Sequence, residues 1–377
     1  MARYICSIMS IKRLIFPSVV YILLMLVISF ISDTAIGQAR PETPAEADFS
    51  TDNPEGELRK TDWSDMLPHT KSGSYYNEFW TYHVFLEDDL HLHITFSLAN
   101  FGSMKSAVSG GRLFVSNFDG ENYNVAREFD LDYFFIDDEQ HKIRLHTGRD
   151  IYFEGKLPER HRVYFKTEKD GVSYLIDLDF DDIHPGYTWG DGIFRIGDDD
   201  MGMFIHIPRA SVSGTVTIND KSKTVQGTAY MDHTYQTDLS SKMVDKGFRH
   251  ISHVGNGFDV GYYMIPKKRS QAGVVGLALR NSASSVHLEK PKSLKIESTS
   301  RLGGNSVPKS FKIEYESGNT HIFERTEHFQ HVSFLEELSG IRKRLVRRFL
   351  GGEIIEYVGK GRIDGEMPVN YNIQMVH

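Results

Sequence analysis

The chain has 377 residues, with 43 Lys+Arg against 51 Asp+Glu, a formal charge of −8, and hydrophobic and aromatic shares of 40% and 12%. That is room for two domains with real cores, and it excludes global disorder and the basic footprint of a simple nucleic-acid binder. One cysteine, Cys6, excludes a disulfide framework, a Cys-rich zinc site and a CxxC redox pair.

Arg3, Lys12 and Arg13 lead into an apolar run from Leu14 to Ile31, and Ala35-Ile36-Gly37 follows with small residues where a signal peptidase reads. The pattern predicts a secretory signal peptide over 1–37, cleaved before Gln38. The alternative is a membrane anchor through residues 14–31, because a run of roughly 18 apolar residues can span a bilayer. Cleavage removes Cys6, which suits a periplasmic or secreted location. Residues 38–72 turn to Pro, Glu, Asp, Ser and Thr with few large apolar side chains, and read as a flexible linker.

Short alternating runs then follow one another, rich in aromatic and β-branched residues. Glu78–Phe85, His91–Ala99, Arg112–Asn117, Ile143–His146, Ile151–Gly155, Arg162–Thr167 and Ser173–Phe180 read as strands, with Gly, Asp and Asn between them. Val212–Ile218 and Val225–Tyr235, around Asn219-Asp220, read as a hairpin. Phe258–Ile265, Val274–Leu279, Ser293–Ser298, Phe311–Glu316 and His321–Glu327 continue the series. From Val332 to Leu350 the period changes. Leu335, Leu338, Ile341, Leu345 and Phe349 fall at helical spacing, Gly351-Gly352 stops the run, and Glu353–Arg362 reads as a closing strand. The basic cluster of Arg342, Lys343, Arg344, Arg347 and Arg348 reads either as a solvated face complementing the helix C-terminus or as a peripheral membrane contact over 342–348. The whole pattern predicts an all-β protein of antiparallel strands with one late C-terminal helix, in two halves that suggest barrels.

Two segments narrow the choice. Pro208-Arg209-Ala210-Ser211-Val212-Ser213-Gly214-Thr215-Val216 and Gly227-Thr228-Ala229-Tyr230-Met231-Asp232-His233-Thr234-Tyr235 resemble the central signature of the hydroxyneurosporene synthase (carotenoid 1,2-hydratase) and AttH-like superfamily. Glu78-Phe79-Trp80-Thr81-Tyr82 is similar to its N-terminal aromatic block. The resemblance covers roughly residues 73–377. It implies two lipocalin-like antiparallel β-barrel domains, 73–240 and 241–377, with the Asp-His segment near their junction. It also implies ligand contacts from Glu78, Trp80, Tyr82 and Asp232. The hydratases of this superfamily pair an acid that protonates an alkene with a base that activates water. Carried onto this chain, the candidates are His233 and Tyr235, with Asp259 and Tyr262 from a following strand. Tyr235 stands where the hydratases have Trp, and no Tyr-x-Asp follows.

Strand geometry sharpens this. Met231, His233 and Tyr235 share one face, and Tyr230, Asp232 and Thr234 the other. His titrates near neutrality and Tyr donates a hydroxyl proton, so a pocket face carrying both has proton-transfer capacity. The alternative is structural, with Asp232 tying a turn and His233 satisfying a buried backbone group. The loop His184-Pro185-Gly186-Tyr187-Thr188-Trp189-Gly190 is either a cap on a barrel mouth, with Trp189 touching ligand, or a packed corner. His91-x-His93, with His83 or Glu87, has metal-compatible spacing but reads more simply as histidines on a half-exposed strand. Asp198-Asp199-Asp200 lacks the ligand spacing of an EF-hand and reads as a solvated turn. No metal and no cofactor is expected. G-x-S-x-G, Walker A, dinucleotide and HExxH motifs are absent from the sequence. Because the best-marked hydratase positions differ, the expected function is an exported lipocalin-like binder of an apolar small molecule, such as a lipid, isoprenoid or polyketide-like compound. The alternative is a cofactor-independent hydratase, isomerase or cyclase acting on an apolar alkene.

Overall fold

The computed structural model describes residues 51–377 apart from 53, 55, 71–74, 103–105, 197, 268–273, 283–284 and 336–339. The expected signal segment and residues 38–50 of the expected linker lie outside the described residues.

The chain is all-β, with two antiparallel sheets, one of them curled into a half-barrel, and a short late helix. In the first sheet the main strand order is Glu121–Asp130, Val108–Phe118, His91–Asn100, Tyr76–Leu86, Lys221–Gln236, Asp199–Ile218, Val172–Asp181, His161–Lys169, Ile151–Glu154, Lys142–Arg144 and Phe135–Asp137. The second sheet runs Ser285–Glu289, Val275–Ser282, Gly257–Pro266, Val244–Val254, Met367–Val376, Ile354–Ile363, Thr320–Ser333, Asn305–Tyr315 and Pro291–Leu302. Ser109 Oγ donates to the Leu145 carbonyl at 2.7 Å, tying together strands near opposite ends of the first sheet.

The predicted hairpin is the spine of the first sheet. Its strands are longer than the sequence reading, Asp199–Ile218 and Lys221–Gln236, and the register slips twice between Ile205 and Ala210. Such bulges bend a strand and tighten its twist, which lets one pair serve both a curled interior and an outer face. Trp80, Tyr82, Phe96, Phe153, Phe165 and Phe180 fill the interior. Met201, Met203, Ile205 and Tyr230 on the opposite face pack against Ile251, Val260 and Tyr262 of the second sheet.

A buried ion pair pins this junction. Arg249 Nε lies 2.6 Å from Asp232 Oδ2 and its Nη2 3.2 Å from Oδ1. Nη1 donates to Asn372 Oδ1 at 3.0 Å, the guanidinium sits 3.6 Å over the Tyr262 ring, and the Tyr230 hydroxyl donates to Asp232 at 2.9 Å.

Two expectations are corrected. The described part of the supposed linker is built into the fold. Leu58–Lys60 pairs with Tyr187–Trp189, and Trp63–Met66 forms a helical turn capped by Asp62 and Asp65 in a capping box. Arg59 holds Asp65 through two bonds of 2.7 Å, and Met66 enters the core. The late helix spans Gly340–Leu350 and does not start at Val332. Val332 and Ser333 finish the strand Thr320–Ser333 opposite Glu356 and Ile355, so ladder hydrogen bonds override the helical spacing there. Ile341 and Leu345, two of the apolar positions at helical spacing, are 75% and 48% exposed and face solvent.

Candidate active site

Register places the site. In the ladders Trp80 is opposite His233 and Glu78 opposite Tyr235, while Phe204 and Gly202 face the same two residues from the other side. Period-2 alternation therefore gathers Glu78, Trp80, His233, Tyr235 and Phe204 on one face. Gly202 is required here, since a Cβ would lie 2.0 Å from the Tyr235 ring. The Trp63–Met66 turn and the residues after it close over this face. The Met66 carbonyl accepts from Trp80 Nε1 at 3.0 Å, and the His69 backbone N–H donates to Glu78 Oε1 at 2.9 Å.

His233 and Glu78 are each 0% exposed. His233 Nδ1 donates to the Asp65 carbonyl at 2.8 Å, and Nε2 lies 2.7 Å from Glu78 Oε1. A carbonyl only accepts, so Nδ1 carries hydrogen, and one further proton is shared between Nε2 and the carboxyl. The Tyr76 hydroxyl donates to Glu78 Oε2. Burial by itself would raise the Glu78 carboxyl, but hydrogen bonds from His233, His69 and Tyr76 together with the charge of His233 hold it at about 2. Burial and the Glu78 charge push the Tyr76 hydroxyl up, and burial with Asp200 and Glu78 does the same to Tyr235.

Rings enclose the pair. Trp80 stacks on His233 with centroids 4.6 Å apart. The His69 ring is stacked on Phe204 at 5.2 Å and on Tyr235 at 4.8 Å, and its side chain, 26% exposed, is the partly open member of the cluster. His206 lies 5.8 Å from His233 and is buried with Nε2 unpartnered; burial and the neighbouring His233, His161 and His69 push it well down. Tyr82 lies deeper, its hydroxyl 2.8 Å from His161 Nε2.

Of the residues singled out from sequence, His233, Tyr235, Glu78 and Trp80 come together, with Tyr82 further along the same face. Asp232 and Tyr262 belong to the sheet junction around Arg249. Trp189 donates Nε1 to the Gly56 carbonyl at 2.8 Å and carries Lys290 Nζ 3.3 Å over its ring, at the N-terminal segment. Asp259 lies in a second network. Its carboxylate takes His250 Nε2 at 2.9 Å and Arg280 Nε at 2.6 Å, and burial is outweighed by His250 and Arg280, which hold it at about 2. That network borders a hollow of about 410 Å³ lined by Ser252, Phe258, Arg280, His321 and Asp364 among others. His83, His91 and His93 are buried on the face turned toward the second sheet, with centroids 5.7 and 4.4 Å from His83 and with His93 Nδ1 3.4 Å from Glu356 Oε2. His69, Tyr76 and Asp65 were missed, because Asp65 and His69 fall in the stretch read as linker and Tyr76 just before the first predicted strand. The Asp62-Trp63-Ser64-Asp65 spacing was the one available signal of an ordered turn.

No protein-family model matches the chain, and no curated protein matches its sequence. Solved structures do match. A protein provisionally assigned as an AttH, from Nitrosomonas europaea, aligns with a TM-score of 0.60 at 15% identity, over 84% of this chain and 97% of that one. The fold is the AttH type. Two more structures share it. CghA, in a structure with Sch210972, gives 0.57 at 12% identity over 86% and 94%, and kievitone hydratase from Nectria haematococca gives 0.50 at 11% over 86% and 97%. At these identities the AttH-type likeness describes the fold, and the chemistry rests on this chain's own residues.

Proposed function

We propose that this protein transfers protons on an apolar small molecule of the lipid, isoprenoid or polyketide-like class, as a hydratase, isomerase or cyclase, with the Glu78–His233 pair as its acid and base. The observation that carries this is a fully buried carboxyl–imidazole pair sharing a proton and oriented from both sides. Burying such a pair is costly, and a container for apolar guests has no need of it. In a hydration, His233 Nε2–H protonates one alkene carbon, the Trp80 face lies against the developing cation, and the freed base takes a proton as water adds to the other carbon. One proton leaves the pair and one returns, so the net change is addition of water. That a hydratase shares the fold supports the reading.

The second reading is a binder without turnover. Its support is the tight enclosure of His233 by Trp80, Phe204 and His69. The test is incubation with polyene and isoprenoid candidates in D2O, with binding followed by native mass spectrometry. Turnover that places deuterium on product carbon and disappears in His233→Ala and Glu78→Gln while uptake persists is the expected result. Uptake with no product from the wild-type chain leaves the binder. We also propose, from the leader at 1–37, that the protein works in the periplasm or outside the cell. The exposed Ile341 and Leu345 beside Arg344 and Arg348 support a peripheral membrane contact.

A further inference from the structure

We propose that His69, Glu78 and His233 form a site for a divalent transition-metal ion of the zinc class, bound through His69 Nδ1, His233 Nε2 and a Glu78 carboxylate oxygen, with one position left open. The inference rests on the reading of this cluster as the working site and deepens it, since a bound ion occupies the place of the shared proton and withdraws the pair from proton transfer.

The donor atoms of the three side chains all lie within 4.8 Å of one another. A tetrahedral ion with bonds of about 2.0–2.1 Å sets its donors roughly 3.3 Å apart. His69 Nδ1 is 3.4 Å from Glu78 Oε1, already at that spacing, and His233 Nε2 at 2.7 Å has to open by roughly half an ångström. The surroundings are those of a metal-binding histidine. His233 donates Nδ1–H to the Asp65 carbonyl, which fixes the ring and turns the Nε2 lone pair toward Glu78. Glu78 is itself oriented by the Tyr76 hydroxyl and the His69 backbone N–H.

Two imidazoles and one carboxylate give a single negative charge against a dication, inside a shell of Trp80, Phe204 and Tyr235. The nitrogen content favours Zn²⁺, Co²⁺ or Ni²⁺ over Ca²⁺ and Mg²⁺, which take mostly oxygen ligands. A second observation points the same way. His206, packed beside His233 and 1% exposed, leaves Nε2 with no partner, a buried polar atom awaiting a ligand or a ligand-held water.

The test uses the full chain stripped with a chelator and titrated with Co²⁺ alone. The expected result is a visible d–d absorption of four- or five-coordinate intensity that saturates at one equivalent. In His69→Ala, whose side chain is partly exposed and whose fold is checked by circular dichroism, affinity falls at least ~100-fold. Glu78→Gln gives the same loss. No absorption with millimolar Co²⁺, or an unchanged titration in folded His69→Ala, overturns the proposal. Turnover by the metal-free chain is measured separately, so loss of the metal site and loss of the proton-transfer reading are told apart.

Discussion

Arg249→Met tests the junction between the sheets. In the native chain Asp232 is fully buried and receives Arg249 Nε at 2.6 Å, Arg249 Nη2 at 3.2 Å and the Tyr230 hydroxyl at 2.9 Å. Methionine keeps the bulk against Tyr262 but leaves the carboxylate with the tyrosine alone. Removing one partner of a buried pair costs about 3–5 kcal/mol, because the other charge stays desolvated. At roughly 2–4 °C per kcal/mol for a chain of this size, the midpoint falls by roughly 6–20 °C. The assay is thermal and urea unfolding of Arg249→Met, Asp232→Leu and the double variant. The double variant, with no charge left to strand, is expected to recover at least half of the larger single loss. A loss below about 1 kcal/mol in Arg249→Met, or single losses that simply add in the double variant, refutes the idea that this pair pins the sheets.

Two further outcomes follow from the geometry. Burial holds His91 and His93 at about 3, and His83 is pushed well below its usual value by burial and its neighbours. These rings are neutral when folded and take up protons when unfolded, so their contribution is fully present above about pH 6.5 and is lost as pH falls toward 3. At pH 5 His91 and His93 each cost roughly 2 kcal/mol. Urea unfolding at pH 7.5 and pH 5 should show this slope and His91→Phe should flatten it, whereas equal stability at both pH values contradicts the assignment. Arg59→Ala removes the clamp on Asp65. The Arg59 side chain is 40% exposed, so the global cost is expected to be at most about 1 kcal/mol, but trypsin should cut at Lys60 several-fold faster. Unchanged cleavage shows that the segment is held by other contacts.

Much of the fold was legible because alternation survives wherever one face is apolar. The central hairpin, the strand carrying Glu78 and Trp80, and the shared face of His233 and Tyr235 all follow from period two. What the pattern hid has a common cause. Val244–Val254 and Met367–Val376, central in the second sheet, carry buried Arg249, His250, Ser252 and Asn372 where a core reading expects apolar residues. Arg249 is satisfied across the sheet junction by Asp232, and His250 and Ser252 by Asp259 and the Pro368 carbonyl on neighbouring strands of the second sheet, partners no local window can see. The same holds for residues 58–70. Their composition is that of a linker, and their order comes from partners outside the segment: Asp65 meets His233 across 168 residues, Leu58–Lys60 pairs with Tyr187–Trp189, and His69 meets Glu78 nine residues on. Half of the site was therefore visible as a strand motif, and the half supplied by tertiary contact was not.

The threading of residues 58–70 over the His233 face bears on where the gene can be cut. An expression boundary drawn at residue 73, the natural choice from composition, deletes the carbonyls of Asp65 and Met66 and the amide of His69 in one stroke. The shortened product would keep nearly every strand and give a native-looking far-ultraviolet spectrum. Its imidazole and indole would nonetheless stand in open solvent with their orienting acceptors gone. Affinity tags and fusion partners accordingly belong at the far terminus, or well ahead of residue 58.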